Sequence, residues 1–167
     1  MNKLVPRYIG GLFNFGSVEQ QQRYTLGKKD KLKSTKIIEQ LFKDGKSFAV
    51  SPLRVLWLED PGSNNLQTAQ IKTEAGASVN LQVAFSVSKK YFKKAVDRNR
   101  IKRLMREAWR LQQNELKHKI KAANKRMFIF IIYTGNELPA YELMYKKMGA
   151  AIKKIEKIPD EATTTNT

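Results

Sequence analysis

Closely spaced arginines dominate the middle of the chain, and their guanidinium groups are suited to binding phosphate. Residues 89 to 110, KKYFKKAVDRNRIKRLMREAWR, contain ten Lys or Arg and two acids. On a helix of 3.6 residues per turn, positions i, i+4, i+7 and i+11 form one stripe. That stripe is Asn99, Arg103, Arg106 and Arg110, and the opposite one is Ile101, Leu104, Met105, Ala108 and Gln112. The pattern predicts a helix that packs one face on a core. Its other face presents guanidinium groups, each of which can donate two hydrogen bonds to one phosphate in a geometry that lysine cannot match. The alternative is a solvated helix face.

The overall charge points to a polyanionic partner. The chain carries +17 on 167 residues, with a pI near 10.1, and residues 89 to 110 supply +8 of it. Such a charge repels itself unless a partner neutralises it, and RNA or DNA is the expected partner. A membrane surface is the rival, but the longest apolar run, residues 127 to 133, is only strand-sized. We therefore expect no membrane partner.

Length and composition predict one domain in a reducing compartment. There is no cysteine, and Pro6, Gly10, Gly11, Asn14 and Gly16 interrupt any N-terminal secretory segment, so a cytoplasmic location is expected. Residues 1 to 22 lack a helical or strand period and are interpreted as a disordered extension or the product of an early start codon. Residues 23 to 157 form the domain, and residues 158 to 167 a disordered tail. The basic stretch 23 to 33 is either an arm that becomes ordered only against RNA or a solvated linker.

Hydrophobic periodicity predicts an α-β-β-α-β-α order. Helices are expected from Ser34 to Gly45, over 98 to 119 and after Pro139, and strands over 53 to 59, 79 to 88 and, centrally in the sheet, 127 to 134. Residues 60 to 78 are interpreted as an enlarged hairpin connection containing a possible weak strand at 66 to 72. This order gives a two-layer α/β sandwich, with a strand-helix-strand crossover around the basic helix. Its helices cover one face of a small sheet, leaving the other for a ligand.

Residues for acid-base or metal chemistry are scarce. The single histidine, His118, ends a Lys-rich helical stretch, where a surface role is favoured over proton transfer. Asp97 precedes the Arg98-Asn99-Arg100 turn, where an acid is more often a helix cap or dipole partner than a magnesium ligand. No carboxylates have metal-ligand spacing. Phosphodiester hydrolysis by metal-bound hydroxide would need ions held by other oxygens, such as those of a partner RNA.

The run from Phe85 to Arg110 resembles the signature of the protein subunit of bacterial ribonuclease P. The matching residues are Ser86, Ser88, Lys89, Lys90, Ala95, Val96, Arg98, Asn99, Arg100, Lys102, Arg103, Arg106 and Glu107. A weaker resemblance extends over residues 24 to 157. Departures are the N-terminal extension, the long 60 to 78 connection, an extra residue or so before Ala95, and Ile38 where relatives often carry an aromatic residue.

The resemblance implies an accessory subunit of a ribozyme endonuclease. The RNA subunit would be the catalyst and would hold most of the Mg²⁺, and the protein would assist removal of the 5' leader from precursor tRNA. The implied partners are the catalytic RNA and precursor tRNA, with no protein partner required. The implied fold is a ribosomal-protein S5 domain 2-like sandwich with a left-handed crossover, although general rules favour the right-handed form.

Two binding surfaces follow from this resemblance. The first binds the catalytic RNA through Arg98, Asn99, Arg100, Lys102, Arg103, Arg106 and Arg110. The second is a groove for the leader, formed by Gln82, Ser86 and Ser88 (with Asn80) and by Phe42, Lys46, Trp57, Lys89 and Lys90. Small side chains leave room, aromatic rings stack on any base, and lysines neutralise phosphates. For Phe42 and Trp57 the alternative is core packing.

Two other classes of function remain open at this stage. One is a non-enzymatic ribosomal or RNA-chaperone protein on the same fold, which differs in the RNA it binds. The other is a protein nuclease acting alone, which would have to cleave precursor tRNA without any RNA subunit.

Overall fold

The computed structural model describes residues 26 to 60 and 80 to 161. Four helices and four strands are found in these ranges. In chain order they are α1 (Thr35–Asp44), β1 (Lys46–Val50), β2 (Leu53–Asp60), β3 (Leu81–Val87), α2 (Ala95–Gln112), α3 (Asn114–Ala122), β4 (Arg126–Tyr133) and α4 (Tyr141–Glu161). The predicted extension 1 to 22, the predicted weak strand at 66 to 72 and the last six residues lie outside the described ranges.

The strands form one mixed sheet in the order β1-β2-β4-β3. β4 pairs antiparallel with β2 and parallel with β3, which confirms its central place and the crossover that contains the basic helix. The interpretation of residues 60 to 78 as a hairpin connection was wrong, because β4 lies between β2 and β3. β1 was missed: its sequence, KSFAV, is short and mostly exposed at the sheet edge, where alternation gives little signal.

The main core lies between the sheet and α2, α3 and α4. Every second strand residue faces this core, including Val55, Val83 and Ile129, because successive strand side chains point to opposite faces. Ile101, Met105 and Ala108 of α2 are fully buried against it, as the helical spacing predicted. We call this side of the sheet the covered face.

α1 packs on the opposite face of the sheet, which corrects the expectation that all helices lie on one side. Ile37 and Leu41 are buried there with Leu56 of β2 and Phe128 of β4. Gly45 ends the helix as predicted, and a Cβ at this position would collide with the carbonyl oxygen of Leu41. Ser34 precedes the helix but makes no side-chain cap. The part of this side that α1 leaves uncovered is called the open face.

The basic helix both begins and ends earlier in the sequence than predicted. α2 starts at Ala95 and stops at Gln112, and α3 follows as a separate helix. At the junction the buried Gln113 side chain accepts a hydrogen bond from the Trp109 indole N–H at 2.8 Å. This buried polar contact lies where α2 ends and α3 begins, a break that periodicity alone could not show.

Residues 26 to 32 lie along the outer edge of β3. Leu32 N–H donates to the Val83 carbonyl at 3.0 Å, and Val83 N–H donates to the Asp30 carbonyl at 2.9 Å. The Asp30 carboxylate also pairs with Lys117 of α3 at 2.8 Å. In this part, the segment predicted as an arm or a linker is hydrogen-bonded to β3 and is not a solvated linker. At the other end of the chain, α4 continues to Glu161, past residue 158 where the tail was predicted to begin.

Candidate RNA-binding surfaces

The predicted arginine stripe of Asn99, Arg103, Arg106 and Arg110 lies on the outer side of α2. Asn99, Arg103 and Arg106 are exposed, as is Arg100 beside them, and Lys102 is partly exposed. Because the core side of the same helix is fixed by buried Ile101 and Met105, these side chains project from a rigid support. Such spacing suits the phosphates of folded RNA.

Arg98 differs from the other predicted RNA-binding residues. Its guanidinium Nη1 donates to the backbone carbonyls of Phe92 at 2.8 Å and of Lys93 at 2.6 Å. The side chain thus fastens the loop between β3 and α2 to the start of the helix. Arg98 positions the basic loop, and fewer of its donors remain for phosphate.

Arg110 is engaged by an acid of its own helix. Its Nε donates to Glu107 Oε2 at 2.9 Å, one turn earlier. This hydrogen bond, assisted by the charge attraction, lowers the pKa of Glu107 and raises the pKa of Arg110. The pair fixes Arg110 in place at the end of the stripe and reduces the local positive charge.

The segment 26 to 32 adds a lysine to the stripe that the helical pattern could not show. Lys31 and Leu26 line a shallow cavity of about 340 Å³ together with Arg103, Arg106 and Arg110. The bridge between Lys31 and Val83 places Lys31 there. Only pairing between distant parts of the chain brings it next to α2.

The open face contains an uncovered row of side chains at one end of the sheet. The strand register places Arg54, Ile132 and Ser86 side by side, and Leu56, Phe130 and Ala84 form the next row. Arg54 is exposed, and Ile132, Ser86, Phe130 and Ala84 are partly exposed. Gln82 lies in the third row, where its amide donates to the Lys29 carbonyl at 3.3 Å.

Phe42 projects from α1 over this face. Its ring lies edge-on to Phe130, with centroids 5.2 Å apart, and the side chain is 56% exposed. The core-packing alternative for Phe42 is therefore wrong. Lys89 and Lys90 are exposed in the loop that follows β3, at the same end of the sheet as Ser86, and Ser88 Oγ accepts the Lys90 N–H at 3.3 Å. Aromatic, small and basic side chains thus meet on one surface.

Lys46 and Trp57 do not belong to this surface. They are paired across β1 and β2, so their side chains share a face, and Trp57 belongs to the core on the covered face. Trp57 is only 8% exposed, which agrees with the core-packing alternative for this residue. The predicted groove of eight residues is consequently divided between two sides of the sheet.

The sequence interpretation also missed residues that the open face brings together. Arg54, Phe130 and Ile132 were not predicted as site residues. A signal for Arg54 was present, because it alternates with Leu53, Val55 and Trp57 along β2. Phe130 and Ile132 were hidden in a run of apolar residues that was interpreted as buried on both faces.

The described residues hold no group of three His, Cys, Asp or Glu side chains arranged as metal ligands. His118 is exposed on α3, and Asp97 lies in the first turn of α2. Among the described helices, none is long and apolar enough to cross a membrane.

The fold and its two surfaces define a basic α/β protein of the class that binds RNA within ribonucleoproteins. Residues 26–156 match the family model of ribonuclease P. The chain belongs to this family, and its role is that of the protein component of ribonuclease P, which takes part in tRNA processing and associates with ribonuclease P RNA.

Individual relatives agree with this assignment. The chain is 30% identical over 132 residues to the ribonuclease P protein component of Porphyromonas gingivalis, covering 79% of this chain and 87% of the relative. It is 34% identical over 96 residues to that of Chlorobaculum tepidum, covering 58% and 57%. The solved structure of Staphylococcus aureus RNase P protein shares the fold, with a TM-score of 0.53 at 20% identity, over 77% of this chain and 95% of that one.

Proposed function

We propose that the two surfaces hold different RNAs. The arginine stripe binds the backbone of the catalytic RNA, and the open face binds the single-stranded 5' leader of precursor tRNA. Cleavage of the leader is carried out by the RNA subunit, with Mg²⁺ held mainly by RNA oxygens, and takes place in the cytoplasm. The protein's contribution is then to position the substrate.

The observation that carries this proposal is the exposed Phe42 ring against Phe130, whose neighbouring strand carries the small side chains Ala84 and Ser86. A phenylalanine 56% exposed beside the partly exposed Phe130 offers ring faces and edges to unstacked bases. Stacking of this kind contributes roughly 1 to 3 kcal/mol per base and tolerates any sequence. Leaders that differ between tRNAs require that tolerance.

The charges around the open face suit a single strand as well. Arg54 is at one end of the uncovered row, and Lys89 and Lys90 follow Ser86 at the other. Within the described residues, none of these three side chains forms an ion pair. They remain available to phosphates on both sides of the aromatic pair.

The experiment is a reconstitution of cleavage at low magnesium. The purified protein is titrated into the cognate ribonuclease P RNA with 5'-labelled precursor tRNA. We expect leader release that rises with protein and needs both components, without any further protein. Binding to RNA without stimulation of cleavage would instead favour a ribosomal or chaperone role. Cleavage by the protein alone would favour a protein nuclease.

A further inference from the structure

A second basic cleft lies on the covered face, at the free edge of β1. It is formed between β1 and the C-terminal half of α4 and has a volume of about 610 Å³. This falls within the range of about 300 to 1,000 Å³ that is usual for ligand sites. It shares no residue with the arginine stripe, and Lys46, Phe48 and Trp57 line it from the covered side of the sheet.

Two aromatic rings form the floor of this cleft, and each carries a lysine ammonium group. Lys46 Nζ lies 5.2 Å from the ring centre of Trp57, and Lys154 Nζ lies 4.8 Å from that of Phe48. Contacts of this type are worth only about 0.5 to 1 kcal/mol at exposed sites. A flat ligand can therefore replace the ammonium groups on the rings at small cost.

Lysines surround these two rings, and the residues that line the cleft include no Asp or Glu. Lys153 and Lys157 are one turn apart on α4 and line the cleft together with Lys46 and Lys154. Within the described residues none of these four lysines forms an ion pair. Glu156 of the same helix pairs instead with Lys119 of α3 at 3.7 Å. Four positive groups without an acidic partner call for a ligand with more than one negative charge.

We infer that this cleft binds an unpaired nucleotide of an RNA strand together with its flanking phosphates. The rings accept the base, and Lys153 and Lys157 contact successive phosphates along the helix. Free phosphate or an anionic lipid surface would use the lysines but would have no need of the two aromatic rings that line the cleft. The inference goes beyond the proposed function, because the cleft is on the other side of the sheet from the proposed leader surface.

Trp57 provides a direct probe of this site. The chain has two tryptophans, and Trp109 is fully buried on the core side of α2, so a ligand in the cleft acts on Trp57. Five-residue oligouridylate is titrated into the full chain while tryptophan fluorescence is recorded at several salt concentrations. We expect saturable quenching that Trp57→Phe abolishes. Inorganic phosphate and anionic phosphatidylglycerol vesicles, titrated in parallel, should leave the fluorescence unchanged.

Charge variants separate the cleft from the other surfaces. Lys153→Ala with Lys157→Ala should weaken the binding that causes quenching roughly fivefold and reduce its salt slope by about 1.4, since a single strand contributes about 0.7 per phosphate contact. Lys36→Ala with Lys121→Ala removes the same charge from α1 and α3 and should change affinity less than twofold. Phe42→Ala, on the open face, should also leave the quenching intact.

The inference is overturned if the Lys153/Lys157 variant binds as tightly as the control pair, or if quenching survives Trp57→Phe. It is also overturned if Phe42→Ala removes the quenching, since the bound strand would then lie on the open face. Quenching by phosphate alone, or by vesicles alone, would assign the cleft to that anion instead. Failure of leader binding in the reconstitution would leave these outcomes unaffected.

Discussion

The proposed role of Phe42 in binding the leader depends on the exposure of its ring. Because its side chain is 56% exposed and its ring meets Phe130 only edge-on, Phe42→Ala should cost less than about 1 kcal/mol of folding free energy. We expect it to raise the Michaelis constant for precursor tRNA and to spare binding of mature tRNA, which lacks the leader. Phe42→Tyr, which keeps the ring, serves as the control. Equal losses for both RNAs would assign Phe42 a structural role.

We expect Arg98 to contribute more to folding stability than to RNA binding. Arg98→Ala leaves two backbone carbonyls without their charged donor, and we expect a loss of about 2 kcal/mol in unfolding free energy. Denaturant unfolding of this variant and of Arg100→Ala, an exposed neighbour, provides the measurement. Equal stability of the two variants would show that the Arg98 contacts do not hold the loop.

Glu156 makes the folded protein sensitive to pH. Burial, with the nearby charge of Glu115, raises the pKa of this carboxyl above its ordinary value, and Lys119 offsets this only in part. The unfolded chain therefore loses the proton first as pH rises, so a penalty on the folded state builds up above the ordinary pKa of a glutamate and persists at higher pH. Glu156→Gln should remove that penalty and stabilise the protein by up to about 1 kcal/mol at pH 7.

The measurement for Glu156 is the melting temperature as a function of pH. The difference between Glu156→Gln and the parent should be small near pH 4 and grow toward pH 7. Glu39→Gln, on the exposed side of α1, is the matched control and should follow the parent throughout. A parent that is more stable than Glu156→Gln at pH 7 would show that the ion pair with Lys119 outweighs burial.

At the scale of elements, α2 should act as a unit of phosphate recognition. Arg103→Ala with Arg106→Ala removes two exposed cations from its outer side without touching the core. Each lost phosphate contact lowers the salt dependence of binding to the catalytic RNA by about 0.7 to 0.9, so a total reduction near 1.6 is expected. Binding isotherms between about 50 and 300 mM KCl measure it. Lys36→Ala with Lys121→Ala is the charge-matched control, and an unchanged slope in the arginine variant would contradict the docking assignment.

Periodicity was most informative where an element has one buried face. The α2 stripe was predicted in this way and is confirmed. The end of α1 was predicted from Gly45 and the central place of β4 from its continuous apolar run, and both are also confirmed. Periodicity did not predict β1, because this strand lies at an exposed edge of the sheet. It also did not predict the break between α2 and α3 at Gln113, where a contact joins two side chains. The crossover's left-handed form stays a prediction.

From the sequence, we could predict only those parts of the candidate site whose residues lie on a single helix or strand. Helical spacing alone places Arg103 and Arg106 on one surface. By contrast, Trp57 and Gln82 were grouped although they face opposite sides, because the strand order was unknown from sequence. Arg54 and Lys31 join their surfaces through pairings with distant parts of the chain, which a linear pattern does not contain.

For the whole molecule, the dominant property is its charge. The chain carries +17, and most ion pairs among the described residues join exposed or partly exposed side chains, so each of these contributes little. Net repulsion among the cations should therefore exceed attraction in the free protein. Added salt shortens the screening length from about 10 Å at 0.1 M to about 3 Å at 1 M and weakens mainly this repulsion.

We accordingly expect the melting temperature of the free protein to rise by a few degrees between about 0.05 and 0.5 M KCl. Arg103→Glu with Arg106→Glu lowers the net charge by four and should show a smaller rise, whereas the charge-neutral Phe42→Ala should keep the full one. Binding of the catalytic RNA should stabilise the parent most at low salt, where the unneutralised charge is most costly. A melting temperature that falls with salt would mean that pairs such as Lys117 with Asp30 outweigh the repulsion, and that the protein does not need its RNA to offset its charge.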